Sequence, residues 1–263
     1  MKKIFVLLCI LFTNTAIPDT ISLNWMDGNT MHAQTTCTVG GDLILPSAPT
    51  PAYGYHFTGW ASEYIFLEYI ESTGTQYIDT GVVLSTAKSE IYLDAQKTNA
   101  TGRQAFMGAQ VTDDNTSNTI RQILYYPSDF AGFLRWYNDS GTFTDIQNVD
   151  ATTRHSYHIT CDASNAYSIE IDNVVRSSGS QPEPSILNIS LYLFAKNKNG
   201  NADQLIHAKI YSFWVKDAND TLVRNFIPAK RMSDNAVGML DMITNTFFEN
   251  AGTGEFIGGP VVQ

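Results

Sequence analysis

Cysteine and charge are both scarce in this chain of 263 residues. Only three residues are cysteine and 16% are charged, and the sequence contains no CxxC pair. It also lacks the GxSxG nucleophile elbow, the HExxH zinc motif and a glycine loop of the kind that cradles phosphate. The sequence therefore gives no support to the enzyme classes that depend on these motifs.

Basic residues are few in comparison with acidic ones. The chain has 16 Lys and Arg against 26 Asp and Glu, a formal net charge of −10. A surface this acidic repels the phosphates of nucleic acids and of anionic membranes, so neither is an expected partner. Neutral ligands, cations and other proteins stay open as partners.

Long apolar runs are also rare, and the clearest one lies at the start of the chain. Lys2 and Lys3 precede the apolar run 4–12, which is followed by small and polar residues up to Ala16. This order is typical of a secretory signal peptide, and the run is too short to span a bilayer. A buried first strand would not explain the paired lysines. We expect residues 1–16 to be removed and the protein to be secreted or displayed at the cell surface.

Two cysteines remain after such a cleavage, Cys37 and Cys161. They fall in different predicted modules, so a disulfide would have to join one module to the other. Two separate thiols are the expectation.

Residues 20–62 predict a small β module. A short strand at 21–25 leads to turn residues at 27–29, and the segment ends with prolines and a GYHFTGW sequence at 54–60. Residues 46–60 resemble the end of a Listeria-Bacteroides repeat, the small β-grasp-like module of internalin-type surface proteins, with His56 in place of the usual threonine. In a module this small, the aromatic side chains are needed for packing.

From Tyr64 onward the hydrophobic pattern has a period of two. In 90–96, Ile91, Leu93 and Ala95 alternate with polar residues and Tyr92, which is typical of a strand with one face in the core. Similar runs, separated by Gly, Asn, Asp and Pro, occur at 120–126, 133–137, 157–161, 167–171, 187–195, 206–215 and 222–227. Many short strands without a helical period predict an all-β antiparallel sandwich or barrel with little helix.

Both ends of this body resemble a known superfamily. The segments that carry the resemblance are 67–81 (LEYIESTGTQYIDTG), 222–230 (LVRNFIPAK), 238–241 (GMLD) and 250–254 (NAGTG). They are similar to laminin-G-like domains of the concanavalin A-like lectin/glucanase superfamily in bacterial surface proteins. The resemblance implies that residues 64–260 form a two-sheet jelly roll whose first and last strands are neighbours. It implies no particular ligand.

The glucanases of that superfamily place three acids at alternate positions of one strand. Glu170 and Asp172 fit the first two positions, but the third is occupied by Val174 or, with a bulge, by Val175. No carboxyl group is then available to protonate a leaving group. We therefore interpret the two acids as solvated and expect no enzymatic activity. His155 and His158 are three apart in a predicted strand, which places them on opposite faces and prevents them from sharing a metal.

Sugar recognition needs an exposed aromatic ring with amides or carboxylates close by. Tyr126 and Trp136 supply candidate rings, and Asn138 and Asp139 supply polar contacts. Trp214 is a second candidate, although its position in a central strand favours burial. The leading hypothesis is a non-catalytic, lectin-like binding or adhesion module for carbohydrate or a cell-surface protein. The alternatives are a structural surface domain without a small ligand and a glycoside hydrolase, and an exposed Trp136 would favour the lectin.

Calcium is a candidate cofactor because its oxygen ligands are abundant in an acidic chain. Asp113 and Asp114 in one loop, and Asp203 in another, are candidate ligands for Ca²⁺. No spacing here is diagnostic, and ordinary solvated turns account for the same residues.

Overall fold

A computed structural model describes residues 4–6, 20–27, 30–38, 47, 60–84, 88–99, 102–111, 120–126, 133–137, 143–150, 152–180 and 188–262. Within these ranges every regular element is a β-strand, and no helix has the length and apolarity needed to cross a membrane. The strands are β1 (Ile4–Val6), β2 (Thr20–Asp27), β3 (Thr30–Thr38), β4 (Trp60–Ser62), β5 (Tyr64–Phe66), β6 (Ile70–Thr73), β7 (Ile78–Asp79), β8 (Ser89–Lys97), β9 (Gln104–Val111), β10 (Ile120–Tyr126), β11 (Phe133–Tyr137), β12 (Phe143–Gln147), β13 (His155–Cys161), β14 (Ala166–Ile171), β15 (Val174–Ser180), β16 (Tyr192–Leu193), β17 (Lys196–Lys198), β18 (Asn201–Asp203), β19 (His207–Lys216), β20 (Leu222–Arg231), β21 (Val237–Asp241), β22 (Thr246–Phe248) and β23 (Ile257–Gly258).

Contacts divide the chain into two compact units, 1–65 with 231–235, and 66–230 with 236–263. In the first unit β2 and β3 form an antiparallel hairpin, and β1 runs parallel to β4. The strand predicted at 21–25 lies inside β2. Apart from Ser47 and Trp60, the repeat-like segment 46–60 lies outside the described residues. The internalin-type assignment and the signal peptide stay predictions.

The second unit is a sandwich of two sheets, as predicted. The smaller sheet has the order β12-β11-β10-β9-β16-β7, and β17, which pairs with β18, runs parallel to β9. The larger sheet has the order β15-β14-β13-β8-β19 and continues through β20, β21 and β22, while β6 pairs with both β19 and β23. The long middle strand β19 is central, as its sequence indicates.

The core lies between these two sheets. Along β8, buried and half-buried residues alternate without a break, which confirms that Ile91, Leu93 and Ala95 face inward. Phe106 of the smaller sheet packs against Tyr157 of the larger one, with 5.7 Å between ring centroids. Both side chains are fully buried. Cys161 is also buried, on the inner face of β13, and the side chain of Cys37 lies outside the described part.

Residues 188–195 are the described part of the strand predicted at 187–195, and most of them are irregular. Only Tyr192 and Leu193 form a strand, and Phe194 adopts a φ of 64°, which turns the chain out of the extended conformation. The Phe194 N–H donates to the carbonyl of Phe106, and its own carbonyl accepts from Ile206. The segment is buried because its backbone groups find these partners across the sheet.

The first and last strands of the sandwich are hydrogen-bonded neighbours, as the resemblance implies. Ile257 and Gly258 of β23 pair with Glu71 and Ile70 of β6. Just before β23, the Asn250 side-chain oxygen accepts hydrogen bonds from the backbone N–H groups of Tyr77 (3.0 Å) and Gly252 (2.8 Å). The two ends of the unit are thus joined by both backbone and side-chain bonds.

Gln76 and Thr75 complete this closure. Gln76 is 3% exposed, and its side-chain oxygen accepts from the Thr73 N–H at 2.8 Å. Thr75 donates its hydroxyl to the Thr253 carbonyl and accepts the Thr253 N–H on its own carbonyl. The TGTQY and NAGTG sequences therefore form a structural clasp, which we define as residues 73–77 and 250–254.

Asp241 provides a second buried polar anchor. Its side chain is fully buried, and one carboxylate oxygen accepts the backbone N–H groups of Asn225 (2.9 Å) and Ile243 (3.1 Å). The other oxygen accepts the Thr244 hydroxyl at 2.7 Å and lies 3.6 Å from the Arg224 Nε. The GMLD sequence thus ties β20, β21 and the turn after β21 together.

Gly252→Ala should destabilise the sandwich. A Cβ at this position would overlap the Thr75 carbonyl oxygen, so the backbone of the clasp would have to shift. We expect a loss of about 2 kcal/mol or more in the free energy of unfolding, in the range of overpacked sites. Urea unfolding measures it. Thr253→Ala is the matched control, because the exposed Thr253 contributes only backbone groups to the clasp; equal stability of the two variants would contradict the role assigned to Gly252.

Asp241→Ala should destabilise the sandwich by a different route. It leaves two backbone N–H groups and one hydroxyl without their acceptor inside the protein. Because buried unsatisfied donors cost about 1–3 kcal/mol each, we expect a loss of at least roughly 3 kcal/mol. Thermal unfolding followed by circular dichroism checks this, with Glu255→Ala, which removes an exposed carboxylate, as control. A drop in melting temperature no larger than that of the control would show that the anchor contributes little.

Candidate functional site

The outward side chains of β8, β13 and β19 form one continuous surface on the larger sheet, which we call the outer face. The cross-strand register aligns Trp214 of β19 with Tyr92 of β8, Tyr92 with His158 of β13, and His158 with Glu170 of β14. In antiparallel sheets such aligned residues lie on the same side and contact one another. The row places three rings in the middle of the outer face.

These rings pack into a platform, defined as Tyr92, His158 and Trp214. The Tyr92 and Trp214 rings are stacked with 5.5 Å between centroids and 5° between planes. His158 lies tilted at 5.7 Å from Trp214 and 6.5 Å from Tyr92. All three residues are half-buried, so the platform is fixed by packing and still open to solvent.

Charged side chains border the platform on the next row. Glu90 accepts a hydrogen bond from the Lys216 ammonium at 2.9 Å, and its other oxygen lies 2.9 Å from the His158 Nε2. The Glu170 carboxylate lies 3.5 Å from the His158 Nδ1. Lys216 also lies 5.2 Å above the Trp214 ring, within cation–π distance. These contacts hold carboxylate oxygens and an ammonium group in place beside an aromatic surface.

Opposing effects act on the Glu90 carboxyl group. Partial burial raises its pKa, but hydrogen bonds and charge from Lys216 and His158 together outweigh burial, so the pKa is lowered. Glu90 is therefore ionised at neutral pH and acts as an acceptor. A carboxyl group held in this state cannot serve as a general acid, which needs a raised pKa.

Trp136 does not lie on an exposed surface. It is 3% exposed and aligns with the buried Leu124 in the smaller sheet. Since no ring face is open to a sugar, the stacking role predicted for Trp136 is replaced by a packing role in the core.

The other predicted sugar contacts cannot be placed on this surface. Tyr126 belongs to β10 of the smaller sheet, but its side chain lies outside the described part, as do Asn138 and Asp139 entirely. The described part of the β11–β12 hairpin shows Phe143 46% exposed, with the Arg135 guanidinium 3.8 Å from its ring centroid.

Of the predicted calcium ligands, Asp203 is the one that lies within the described residues. Asp113 and Asp114 lie outside them. Asp203 forms an ion pair with Lys196 at 3.0 Å, and that lysine side chain is 1% exposed. Asp203 thus supplies the counter-charge that a buried ammonium needs. Among the described residues, no three acidic, histidine or cysteine side chains are grouped as metal ligands.

The two acids of the glucanase-like pattern have different surroundings. Glu170 lies in β14, whereas Asp172 is the first residue of a two-residue hairpin turn, with φ of 53°, and Asn173 follows at 62°. Asp172 accepts the Ser156 N–H and lies 2.6 Å from the His155 Nδ1. Partial burial raises the Asp172 pKa, but these hydrogen bonds lower it further than burial raises it. His155 and His158 face opposite sides of β13, as predicted.

The platform could have been found from the sequence only in part. The alternation of 90–96 places Tyr92 outward, and Trp214 is a candidate on its own, but centrality in the sheet suggests burial. The prediction misses that a central strand of a two-sheet sandwich is covered on one side only. Residues 214 and 216 lie on the open side.

We expect low pH to reduce the free energy of unfolding partly through protonation of the Glu90 carboxylate. Because its pKa is lowered in the folded protein, Glu90 stabilises the fold above its ordinary pKa, near 4.5. That stability is lost as pH falls through the folded-state value. We therefore expect Glu90→Gln to flatten the decline of unfolding free energy between about pH 5 and pH 3. Urea unfolding at several pH values measures the slope, and the exposed Glu68→Gln is the control; a slope unchanged in Glu90→Gln would refute this linkage.

No family model matches the chain, and no curated protein matches it. Solved structures are similar in fold. A protein of Bacteroides ovatus, assigned provisionally as carbohydrate binding, matches at 8% identity over 91% of this chain and 68% of its own, with a TM-score of 0.51. This likeness supports the sandwich fold.

Two further structures match at lower TM-scores. The CBM40 module of Ruminococcus gnavus IT-sialidase, bound to α2,3 sialyllactose, matches at 14% identity over 56% of this chain and 89% of its own, with a TM-score of 0.45. The Crh5 transglycosylase in complex with NAG matches at 12% identity over 62% of this chain and 76% of its own, with a TM-score of 0.39.

Proposed function

We propose that the chain is a non-catalytic carbohydrate-binding module that recognises glycan through the outer face of the larger sheet. The observation that carries this proposal is the platform of Tyr92, His158 and Trp214, half-open to solvent and bordered by Glu90, Lys216 and Glu170. A sugar presents an apolar ring face and a rim of hydroxyl groups. Fixed aromatic surface beside fixed acceptors and donors is complementary to both.

Fixed geometry supports binding in particular. Glu90 is held by two partners, and the Trp214 ring is packed against both Tyr92 and His158. Few side-chain rotations are therefore lost when a ligand binds, which reduces the entropic cost of association. Hydroxyl hydrogen bonds to an ionised carboxylate are stronger than those to neutral groups.

The acids of the outer face favour binding over hydrolysis. A glycosidase needs one carboxyl group with a raised pKa to protonate the leaving oxygen. Glu90 and Asp172 have lowered pKa values instead. We therefore place the chain among binding modules, and we test hydrolysis directly in the experiment below.

The leader-like start and the acidic surface suggest where this module works. Lys2 and Lys3 before an apolar run predict export, and the net charge of −10 disfavours nucleic acid. We propose a secreted or surface-displayed protein whose partner is carbohydrate, free or carried by a cell-surface protein.

Trp214→Ala should weaken glycan binding by about tenfold or more, equivalent to roughly 1.4 kcal/mol. The purified protein and the variant are compared on a broad glycan array, once with Ca²⁺ and once with chelator, and bound glycans are then incubated with the protein to detect cleavage. Phe143→Ala is the control, because it removes an exposed aromatic from the smaller sheet and leaves the platform intact.

Three results would contradict the proposal. An array without binding by folded protein would favour a structural surface domain. Equal binding by the wild type and Trp214→Ala would move the site elsewhere, with Phe143→Ala showing whether it lies on the smaller sheet. Cleavage of the bound glycan would show an enzyme.

A further inference from the structure

The strand β19 contains an irregularity that changes what the outer face presents. Its register against β8 shifts between Ile210, which pairs with Ala95, and Ser212, which pairs with Asp94, so Tyr211 is an extra residue. In a regular strand, residues three apart face opposite sides. Here the bulge resets the alternation, because Ile210 and Phe213 are both buried while Tyr211 and Trp214 are both half-buried.

The bulge thus places a second aromatic residue on the same face as the platform. Tyr211 packs edge-on against Tyr69, with 5.4 Å between centroids, and its hydroxyl donates to the Gln96 side-chain oxygen at 3.1 Å. Lys209 lies 4.2 Å from the Tyr69 ring centroid. We call Tyr69, Gln96, Lys209 and Tyr211 the second cluster. Bulges commonly re-aim a side chain at a functional site.

The platform and the second cluster are joined by polar side chains. Asp94 lies between Tyr92 and Gln96 on the outward side of β8, and Arg154 binds both oxygens of Asp94, at 2.8 and 2.6 Å. The same guanidinium lies 3.7 Å from the Tyr211 ring centroid. Along β8 and β19 the outer face therefore presents four groups in order. They are the ion pair of Glu90 and Lys216, the platform, the ion pair of Asp94 and Arg154, and the second cluster.

The spacing of the two aromatic groups indicates the size of the ligand. Tyr211 and Trp214 are three residues apart in β19, but the bulged Tyr211 advances the strand by less than a full residue, because residues 210–214 lie opposite only residues 92–95 of β8. At about 3.3 Å per residue, the separation along the strand is roughly 7–10 Å. One sugar ring is too short to contact both groups. A chain of sugars that runs along β19 would contact both, with its hydroxyl groups over Asp94 and Arg154.

The charges of the outer face indicate the chemical class. Lys216 is held by Glu90 and Arg154 by Asp94, so the carboxylates already neutralise these cations. Glu170 and Lys209 add one charge of each sign, so these six groups carry no net charge. An anionic sugar would have to compete with these carboxylates, whereas neutral hydroxyl groups can bridge the ion pairs without separating charge.

We propose that the outer face binds an extended neutral oligosaccharide of at least two sugars along β19, with the platform and the second cluster as separate subsites. This inference rests on the proposed function, since it assigns the ligand class of the same face. Tyr211 is a length-specificity residue, and Trp214 contributes to binding at every length.

The test measures affinity against chain length. Probes are linear β-1,4-linked oligomers of glucose, mannose, xylose and N-acetylglucosamine, from one to six sugars, together with an acidic galacturonic acid series. For the wild type we expect the affinity for the neutral series that binds to rise by about tenfold or more from the single sugar to the longer members. Tyr211→Ala should remove most of this rise without changing single-sugar affinity, and Trp214→Ala should weaken binding at every length.

Tyr211→Phe and Tyr211→Leu separate the ring from its packing. Phe keeps the ring and loses the bond to Gln96, so it should retain most of the rise. Leu keeps apolar volume and loses the ring, so Tyr211→Leu should behave like Tyr211→Ala. It replaces the Ala variant in the test if that variant does not fold.

Four outcomes would overturn the inference. They are equal affinity at all lengths, a Tyr211→Leu effect that is the same for one sugar as for six, a preference for the acidic series, and binding of none of these oligomers. The first three leave the proposed function standing if Trp214→Ala still weakens glycan binding. If the folded protein also bound no glycan on the broad array, the proposed function itself would be refuted.

Discussion

The pairing of the first and last strands of the sandwich is the constraint on which the rest of the unit depends. β6 forms hydrogen bonds with β23 on one side and with β19 on the other. The clasp of 73–77 with 250–254 joins the two chain segments at one end of that pairing, through Asn250 and the close approach of Gly252 to Thr75. Because β19 is positioned between β6 and β8 along half of its length, the clasp also sets where Tyr211 and Trp214 stand.

The segments that resemble the superfamily have mainly structural roles in this chain. Gln76, Asn250 and Asp241 use their side chains to satisfy backbone groups at turns and strand ends. Such groups are expensive to bury without partners, so any sequence that closes the jelly roll in this way needs residues of this kind. This explains why the resemblance predicts the architecture well and says little about a ligand. Most of the candidate ligand contacts lie on β8, β13 and β19, and Tyr69 is the one among them that belongs to a resembling segment.

Much of the fold could be predicted because one side of most strands faces the core and the other faces water. That asymmetry produces the alternation of apolar and polar residues in β8, with Ile91 inward and Tyr92 outward. β9 is buried along both faces from Gln104 to Gln110, so its sequence carries no alternation. The site was harder to predict. Neighbouring aromatic residues in the sequence pointed to Trp136, but the rings of the platform come from three strands and meet only through the cross-strand register.

A bulge is the feature that is hardest to predict from a sequence pattern, since one inserted residue reverses the inward or outward direction of every later side chain in the strand. In β19 this reversal lets Tyr211 and Trp214 share a face, and it leaves Ile210 and Phe213 in the core. In an unbulged strand, residues three apart face opposite sides, so the two apolar residues could not both be buried and the two aromatic residues could not both face outward. The irregularity therefore resolves a conflict between packing and an aromatic surface longer than one ring. The core thus gives one reason for the bulge, and the shared outward side of Tyr211 and Trp214 is its second consequence, on which the proposed dependence of binding on ligand length rests.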